Sequence, residues 1–426
     1  MSSGFRIELQ NRARLDVLKP MLADKSDANP PRWFGINWQI SVTSGWGVLG
    51  LNLALQAERD GRIAAVPMIK TINSDCIPEE YKPLMKKTLG RERVIRELYG
   101  ENEKDRLQCD FPVLHSLCNR MASVDAAERV VGTRNLAIIF FEDTTFPPFS
   151  KEVASRFDLI LGGSTWNTQV LRARGFENVD TLIQGVDLGL FRPIRPKGTK
   201  QKPFFVFSGG KIEYRKGQDI VVAAFREFRK RHPEAVLLTA WHNLWPKSIE
   251  GIDHKGHVRG LPAVGEDGQI EVPNWLEANG VPKKANYNVG LTPNLTMPAV
   301  YAQADVAVFT NRCEGGTNMA AMECMACGVP TILSSNTGHL DLVDESHCYP
   351  LRRQGAVDPV FPYQGTEGWG ESDVDEVVEM LERVYRDRKE AEAKGEAATR
   401  FMQDWTWRRR YNEYLGFLGR FCSIRN

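Results

Sequence analysis

Short apolar segments alternate with helical patterns along most of this 426-residue chain, and the alternation runs twice. The first series starts near Trp33 and the second at Pro203, and a basic stretch with proline and glycine, residues 195–203, separates them. Alternation of strand and helix is typical of parallel α/β architecture. Because the chain is also longer than one domain usually is, we predict two α/β units of similar size with a ligand cleft between them.

The composition is that of an ordinary globular enzyme, with 42% hydrophobic residues, 26% charged residues and a net charge of +1. So balanced a charge gives no reason to expect nucleic acid or a membrane surface as a partner. No apolar run is long enough to span a bilayer, and the opening MSSGFRIELQ lacks the apolar core of a signal peptide. The eight cysteines are scattered, and Cys324 and Cys327 lie in an apolar helix, where core thiols are a better explanation than a metal or redox pair. These features predict a cytoplasmic protein with reduced thiols.

The most informative segment is CEGGTNMAAMECMACGVPTILSS, residues 313–335. Glu314 is followed by two glycines, then by a helix that carries Glu323, and then by an apolar strand. A helix N-terminus favours negative charge, and Gly315 and Gly316 allow a ligand to approach the backbone closely. The amides suit phosphates and the carboxylates suit hydroxyls, so the segment predicts a nucleotide sugar as ligand.

Two lysines follow the first strand of the same unit. The strand ends at Gly209 and Gly210, and Lys211 and Lys216 lie five positions apart around the turn into the next helix. Two such cations can converge on a diphosphate. Ordinary surface lysines beside a turn are the alternative. The second anion-binding turn, at the carboxyl end of another strand in this unit, favours the ligand site.

Three strand ends of the first unit offer further candidates. Gly45 and Gly47, in the turn SGWG, either pass a phosphate or sugar close to the backbone or form a tight turn without a ligand. Glu142 and Asp143 end the apolar strand NLAIIFFED and are expected to face a cleft, unless Asp143 caps a following helix. His115 ends another strand, either as a substrate contact or as a buried histidine with satisfied hydrogen bonds.

A metal site is not predicted. Asp253, His254 and His257 have loose metal-ligand spacing, but no fourth ligand candidate accompanies them. They lie in residues 246–288, a segment rich in proline, glycine and charge that we interpret as an insertion or a long loop.

The two turns of the second unit resemble those of glycosyltransferase family 4, whose members are retaining enzymes of the GT-B fold. Gly210-Lys211 with Lys216-Gly217 is similar to the cationic turn of that family. The segment from Glu314 to Gly328 is similar to its paired-glutamate helix. The resemblance extends from about Trp33 to the C-terminus and is strongest over residues 205–225 and 305–343.

The resemblance implies an α/β GT-B fold of two Rossmann-like domains. Residues 1–195 would bind the acceptor, residues 196–403 would bind the nucleotide sugar, and a C-terminal helix within 404–426 would cross back to the first domain. The implied reaction moves a sugar from a nucleoside diphosphate sugar to an acceptor hydroxyl with retention of configuration, without a metal or other cofactor. The acceptor would be a glycan, a lipid-linked sugar or a small molecule.

The resemblance also implies residue roles. Lys211 and Lys216 would neutralise the diphosphate, the turn amides would hold the sugar and phosphate, and Glu323 would bind the ribose hydroxyls. The predicted catalytic residues are Glu142, Glu314, Lys211 and Lys216. The predicted donor-binding residues are Gly45, Gly47, Gly210, Gly315, Gly316, Thr317, Asn318 and Glu323. The acceptor-side candidates are His115 and Asp143.

Two departures from the family pattern bear on these roles. Eight residues, rather than the usual seven, separate Glu314 from Glu323. Glu142 stands where many members carry a histidine that contacts the donor sugar. Two alternatives remain open: a nucleotide-sugar epimerase of GT-B fold, which would need acid and base groups for a C2 proton, and a nucleotide-sugar-binding protein without transfer activity.

Overall fold

A computed structural model describes residues 7–8, 32–42, 44–69, 77, 79–99, 107–123, 129–194, 203–243, 245–266 and 268–421. Within these residues the chain forms two units, each built on a six-stranded parallel sheet. Apart from Pro203, the predicted linker between the units, residues 195–203, lies outside the described residues. The domain boundary placed there therefore stays a prediction.

The first unit contains a sheet of order β2-β1-β3-β4-β5-β6, with every neighbouring pair parallel. Its strands are β1 (Arg32–Asn37), β2 (Ile63–Pro67), β3 (Val113–Leu117), β4 (Asn135–Ile139), β5 (Leu159–Gly162) and β6 (Val179–Thr181). Its helices are α1 (Gly45–Asp60), α2 (Lys82–Tyr99), α3 (Phe149–Ala154) and α4 (Thr165–Ala173). The strand order reverses between β1 and β3, and ligands of open α/β sheets bind at such a switch point.

The second unit contains a sheet of order β9-β8-β7-β10-β11-β12, again parallel throughout. Its strands are β7 (Phe205–Lys211), β8 (Val236–His242), β9 (Asn286–Asn288), β10 (Val306–Phe309), β11 (Thr331–Ser334) and β12 (Tyr349–Leu351). Its helices are α5 (Gln218–Arg231), α6 (Val272–Ala278), α7 (Met297–Tyr301), α8 (Met319–Ala326), α9 (Val374–Arg386) and α10 (Arg388–Met402). The switch point lies between β7 and β10, beside both predicted anion-binding turns.

The segment predicted as an insertion or long loop is partly regular. It supplies α6 and edge strand β9, which pairs with β8. Strand β9 has only three residues, and neither Tyr287 nor its neighbours repeat an apolar pattern, so periodicity could not identify it. Of the two interpretations of residues 246–288, an insertion or a long loop, the long loop was therefore wrong.

The last described helix, α11 (Trp407–Gly419), packs on the first unit, as predicted. Its buried face joins the first unit's core through Trp407, Tyr411, Tyr414, Leu415 and Leu418. The chain enters this helix beside its own earlier exit, because the Val186 amide donates to the Trp405 carbonyl at 2.8 Å. The outgoing and returning segments are thus joined where the chain passes between the units.

Two smaller sheets complete the fold. One joins Ile7–Glu8, Leu107–Cys109 and Val130–Val131 at the edge of the first unit, and the other pairs Gln354–Gly355 with Glu371–Ser372. None of the helices among the residues described is both long and apolar enough to cross a bilayer.

Candidate active site

A cleft between the two units brings their switch points together. A cavity of about 170 Å³ in this cleft is lined by both units. The first unit contributes the turn before α1 and the first residue of that helix, Gly45. The second unit contributes the end of β7, including Gly210, and the start of α8. Gly210 has a φ of +119°, and a Cβ there would meet no atom within 4 Å, so this backbone is open to the cleft. Gly45 is nearly as open, because its nearest neighbour would be the Met319 sulfur at 4.0 Å.

Gly47 lies beneath the turn rather than at its surface. Its N–H donates to the Ser44 hydroxyl at 3.1 Å, which caps α1, and a Cβ would lie 2.0 Å from the Ser41 Oγ. Because helix α1 already begins at Gly45, Gly47 belongs to its buried first turn. Gly47 is needed because a side chain would not fit there. It does not face the cleft, in contrast to the predicted contact with the donor.

Lys211, at the end of β7, is held beside the cleft by two neighbours. Its Nζ lies 3.2 Å from Glu213 Oε1 and 5.0 Å from the centre of the Trp245 ring. The Trp245 side chain is largely exposed. The Lys211 side chain is 36% exposed, so an anion can reach it, while Glu213 and the aromatic face fix its position.

Lys216 lies in the turn before α5 and forms an ion pair with Glu314. Glu314 also accepts from the Asn311 side chain, and its amide donates to the Thr337 hydroxyl at 2.9 Å. Burial raises the pKa of Glu314, but Lys216 and Arg215 outweigh this effect and lower it overall. Burial lowers the pKa of Lys216, and Glu314 opposes that change. Two predicted catalytic residues are thus in contact, and each stabilises the charge of the other.

Arg215 joins this pair to the first unit and was missed by the sequence analysis. Arg215 Nη1 lies 3.4 Å from Glu142 Oε1 and 3.5 Å from Glu314 Oε2. Arg215 Nη2 lies 2.7 Å from Glu213 Oε2. A signal existed, because Arg215 stands next to Lys216 in the same turn, but its direction depends on the fold. The resulting charge cluster contains three cations and three carboxylates: Lys211, Arg215, Lys216, Glu142, Glu213 and Glu314.

Gly315 and Gly316 face protein rather than open cleft. A Cβ on Gly315 would lie 2.6 Å from the Phe141 carbonyl oxygen, and one on Gly316 would lie 3.0 Å from the Phe140 ring. The Ser164 hydroxyl of the first unit donates to the Gly315 carbonyl at 2.8 Å. Phe140 and Phe141, which follow β4 of the first unit, therefore occupy the space in which a ligand was predicted to approach this turn. The two glycines allow the units to pack closely there.

The next two residues turn their side chains inward. The Thr317 hydroxyl contacts the Met322 sulfur at 3.1 Å. Asn318 has a φ of +62°, caps α8 by accepting from the Ala321 amide at 3.3 Å, and pairs its Nδ2 with His339 Nε2 at 3.0 Å. Their side chains fix the shape of the turn, so any ligand contact from Thr317 or Asn318 is left to the backbone.

Glu323 lines the cleft from the second turn of α8. It accepts from Asn294 Nδ2 at 2.7 Å and from the Tyr301 hydroxyl at 2.6 Å. Burial raises the pKa of Glu323 to about 7, although both hydrogen bonds oppose the rise. Tyr301 and Asn294 were not among the predicted site residues, because they lie more than twenty positions away in the chain.

The pKa of Glu323 predicts a pH-dependent effect of Glu323→Gln on stability. The folded-state pKa lies above that of an unfolded glutamate, so stability falls as pH rises from about 4.5 towards 7. Glutamine removes this titration. Between about pH 5 and pH 8 the free energy of unfolding of the variant should rise by up to about 3 kcal/mol relative to that of the parent. Urea unfolding at both pH values measures the difference, and parallel pH profiles would contradict the assignment.

Glu142 lies in the charge cluster, whereas its neighbour Asp143 does not. Glu142 Oε2 accepts from Asn119 Nδ2 at 3.3 Å, and the opposite oxygen faces Arg215. Asp143 is buried and accepts from the backbone amides of Thr145 and Gly365 at 3.0 and 2.8 Å. No helix begins at Asp143; it fastens a loop of the second unit to the first. The capping alternative was wrong, and the structure gives Asp143 a position that bridges the two units.

The structure places His115 inside the first unit, away from the cleft. Nδ1 pairs with Asn37 at 3.1 Å and Nε2 with Asn135 at 3.0 Å. Burial lowers the pKa of His115 to about 4, and the Asn135 hydrogen bond only partly opposes this shift. Of the two interpretations of this residue, the buried histidine with satisfied hydrogen bonds describes its position.

His115→Ala should therefore affect stability rather than catalysis. At about pH 7.5 we expect a loss of about 2–4 kcal/mol, from the cavity and the two unpaired amides. The stability that neutral His115 contributes is present above pH 6.5 and is lost as pH falls towards 4. The difference in the free energy of unfolding between parent and variant should thus be about 2 kcal/mol smaller at pH 5. Guanidinium titrations of both proteins test this, and a gap that widens in acid would contradict it.

One group in the described part of the chain has the geometry of a metal site. Ligand atoms of Asp219, His257 and Glu371 all lie within 4.8 Å of one another. The buried Arg312 guanidinium already occupies this space, because it donates to both Asp219 oxygens at 2.9 and 2.7 Å and to Glu371 at 2.8 Å. A divalent cation would be repelled by this guanidinium, so the group is an ion-pair network. His257 belongs to it, pairing with Glu371 at 3.1 Å.

Comparison with known proteins agrees with this architecture. Residues 191–357 match the family model described as "Glycosyl transferases group 1". No curated protein matches the chain in sequence. A glycosyltransferase from Rickettsia africae ESF-5 is similar in structure, with a TM-score of 0.60 and 11% identity over 92% of this chain and 99% of its own.

Two other solved structures have similar overlap. Sucrose-phosphate synthase (tll1590) from Thermosynechococcus elongatus has a TM-score of 0.59 and 14% identity, over 91% of this chain and 98% of its own. Anabaena Alr3699/HepE, in complex with UDP and glucose, has a TM-score of 0.58 and 12% identity, over 92% of this chain and 100% of its own.

These similarities and the two facing parallel sheets establish the GT-B fold. The match to the group 1 model adds the class, and the protein is a GT-B glycosyltransferase. The matched segment covers the start and centre of the second unit, including Lys211, Lys216, Glu314 and Glu323.

Proposed function

We propose that this glycosyltransferase belongs to family 4 and transfers a sugar from a nucleoside diphosphate sugar to an acceptor hydroxyl with retention of configuration. The observation that carries the proposal is the meeting of two switch points in one cleft, beside the largely buried cluster of three cations and three carboxylates. The reaction needs no metal ion in this proposal, because lysine and arginine side chains supply the positive charge.

The charge cluster would act on the leaving group. As the bond between the anomeric carbon and the phosphate oxygen breaks, negative charge develops on the diphosphate. Lys211 and Lys216 would stabilise this charge, and their partial burial strengthens the interaction relative to water. Glu213 and Glu314 hold the cations in place before the donor arrives, so little reorganisation is required during the reaction.

Glu142 would act on the sugar. Its carboxylate belongs to the first unit but reaches the cluster of the second, where Arg215 orients it. Positive charge develops at the anomeric carbon as the acceptor oxygen attacks from the face that the phosphate leaves. A carboxylate at this place would stabilise that charge and accept a hydrogen bond from a donor-sugar hydroxyl. Glu314 would contact the donor sugar from the opposite unit.

Glu323 would bind the ribose, and Gly45 and Gly210 would let the donor approach the backbone of both units. Glu323→Gln should then weaken binding of the free nucleoside diphosphate as well as of the donor, because both carry the ribose. Isothermal titration calorimetry tests this role. An unchanged affinity for the diphosphate would leave Glu323 as a helix residue without contact to the nucleotide.

A thermal-shift screen of nucleotide sugars, followed by a donor hydrolysis assay, tests the function. UDP-glucose is the first compound to include, since a structurally similar protein was solved with it bound. A ligand at about 100 times its Kd stabilises the folded state by about 2.7 kcal/mol. Slow release of free sugar supports a transferase, exchange of the C2 proton supports an epimerase, and binding without turnover supports a binding protein. NMR of the transferred sugar reports retention or inversion.

A further inference from the structure

A second cavity lies between the units, next to Glu142 but outside the donor cleft. It measures about 450 Å³, within the range of about 300–1,000 Å³ that small-ligand sites span. The first unit supplies Asn119, Arg120 and Asp143. A second-unit loop supplies Phe361, Tyr363 and Gln364. Neither unit forms this cavity alone.

A single residue, Asn119, lies between the cavity and Glu142 of the charge cluster. Asn119 lines the cavity, and its Nδ2 donates to Glu142 Oε2 at 3.3 Å while its Oδ1 accepts from the Glu142 amide at 2.7 Å. On the other side, the Tyr363 ring contacts the Trp369 ring at 5.0 Å, and Trp369 Nε1 donates to the Glu142 carbonyl at 2.9 Å. An occupant of the cavity would therefore lie beside the carboxylate proposed to face the reacting sugar.

The cavity combines an aromatic face with paired charges. Phe361 is 73% exposed, so the face of its ring is available to a ligand. Arg120 Nε lies 3.6 Å from the buried Asp143, so the positive charge is already balanced. An aromatic ring surrounded by amide and guanidinium donors suits a ring with an apolar face and several hydroxyls. Among the described residues that line the cavity, Arg120 is the one cation and it is already paired with Asp143, so a neutral occupant is favoured over a phosphate.

We propose that this cavity binds the acceptor, and that the acceptor is a neutral saccharide whose ring stacks on Phe361 and whose reactive hydroxyl points towards Glu142. This assignment rests on the proposed glycosyl transfer. It narrows the acceptor to a sugar ring, whether free or at the end of a larger glycan. The bond that forms joins this hydroxyl oxygen to the anomeric carbon of the donor, and the hydroxyl proton leaves with the diphosphate.

Binding can be tested without turnover. Saturation-transfer NMR would use the full chain with glucose, galactose, mannose, N-acetylglucosamine, maltose and lactose, and with glucose 6-phosphate as the anionic probe. At about 10 mM each, a site of millimolar Kd would be largely filled. We expect transfer to at least one neutral sugar, lost in Phe361→Ala and kept in Phe361→Trp. The matched control Tyr287→Ala, which removes another exposed aromatic ring, on edge strand β9, should keep this transfer. Transfer to the sugar phosphate alone, or to no sugar, would overturn the proposal.

Turnover gives a second readout. With an active donor, the ratio of transfer to donor hydrolysis should fall at least tenfold in Phe361→Ala and stay within twofold in Tyr287→Ala. An unchanged ratio in Phe361→Ala would also overturn the proposal. The two proposals fail differently. Donor binding without sugar binding rejects the acceptor cavity alone, whereas sugar binding without any donor binding rejects the glycosyl transfer.

Discussion

Lys216→Ala is expected to lower turnover by on the order of tenfold to a thousandfold. The lysine lies at the turn before α5, where its charge is held by Glu314 and partly screened from water. The proposed reaction places the growing charge of the diphosphate against it, and this contact strengthens as the bond to the sugar breaks. Steady-state kinetics with the donor found by thermal shift would measure the loss, which should appear mainly in kcat.

Removal of Lys216 also leaves a buried carboxylate with fewer partners, so stability has to be measured beside activity. Breaking a buried ion pair costs about 3–5 kcal/mol. Arg215 and Asn311 still contact Glu314, which should reduce the loss. Lys216→Arg keeps the charge and should recover part of the activity. Lys230→Ala, which removes an exposed lysine on α5, is the matched control and should match the parent. Near-parental turnover in folded Lys216→Ala would remove this lysine from the diphosphate site.

Glu142→Gln is expected to lower kcat by on the order of tenfold to a hundredfold while the KM for donor changes little. Glutamine keeps the shape of the side chain and a hydrogen bond to Asn119 but loses the charge that faces Arg215. A group that acts mainly in the transition state affects kcat more than ground-state binding. The kinetic constants of the parent and the variant, each corrected for the folded fraction, test this expectation.

Two further variants in the first unit serve as controls for Glu142→Gln. Glu152→Gln, on exposed α3, controls for loss of a carboxylate and should leave both constants unchanged. His115→Ala should be milder than Glu142→Gln once both proteins are compared at equal folded fraction, since His115 lies in the interior. If His115→Ala abolished transfer while Glu142→Gln remained active, β3 rather than β4 would carry the reaction-centre residue.

The sequence was sufficient to predict the fold because its main signals are local. Fully buried parallel strands appear as short apolar runs, and those at β4, β7 and β10 were each identified from such runs. Helix α11 and its packing on the first unit were predicted from the family resemblance. Edge strand β9 was missed, because a strand of three polar and aromatic residues has no such signal.

The candidate site was predictable only in part, because its contacts join distant segments. Glycine-rich turns indicated where Lys211, Lys216 and Glu323 would lie. No local pattern could show that Phe141 fills the space over Gly315, or that Arg215 reaches Glu142 across the cleft. Likewise, the same strand-end pattern places Glu142 in the cleft and Asp143 in a loop anchor, since adjacent residues of an extended chain point in opposite directions.

The placement of α11 has a consequence for synthesis on the ribosome. The core of the second unit draws on residues from Val186 to Trp405, so all of it has been synthesised before α11 emerges. The core of the first unit lacks Trp407, Tyr411 and Tyr414 until almost the whole chain has been made. The first unit is therefore synthesised first but completed last. If translation stops before residue 407, the released chain exposes the apolar surface of the first unit that α11 covers in the complete fold.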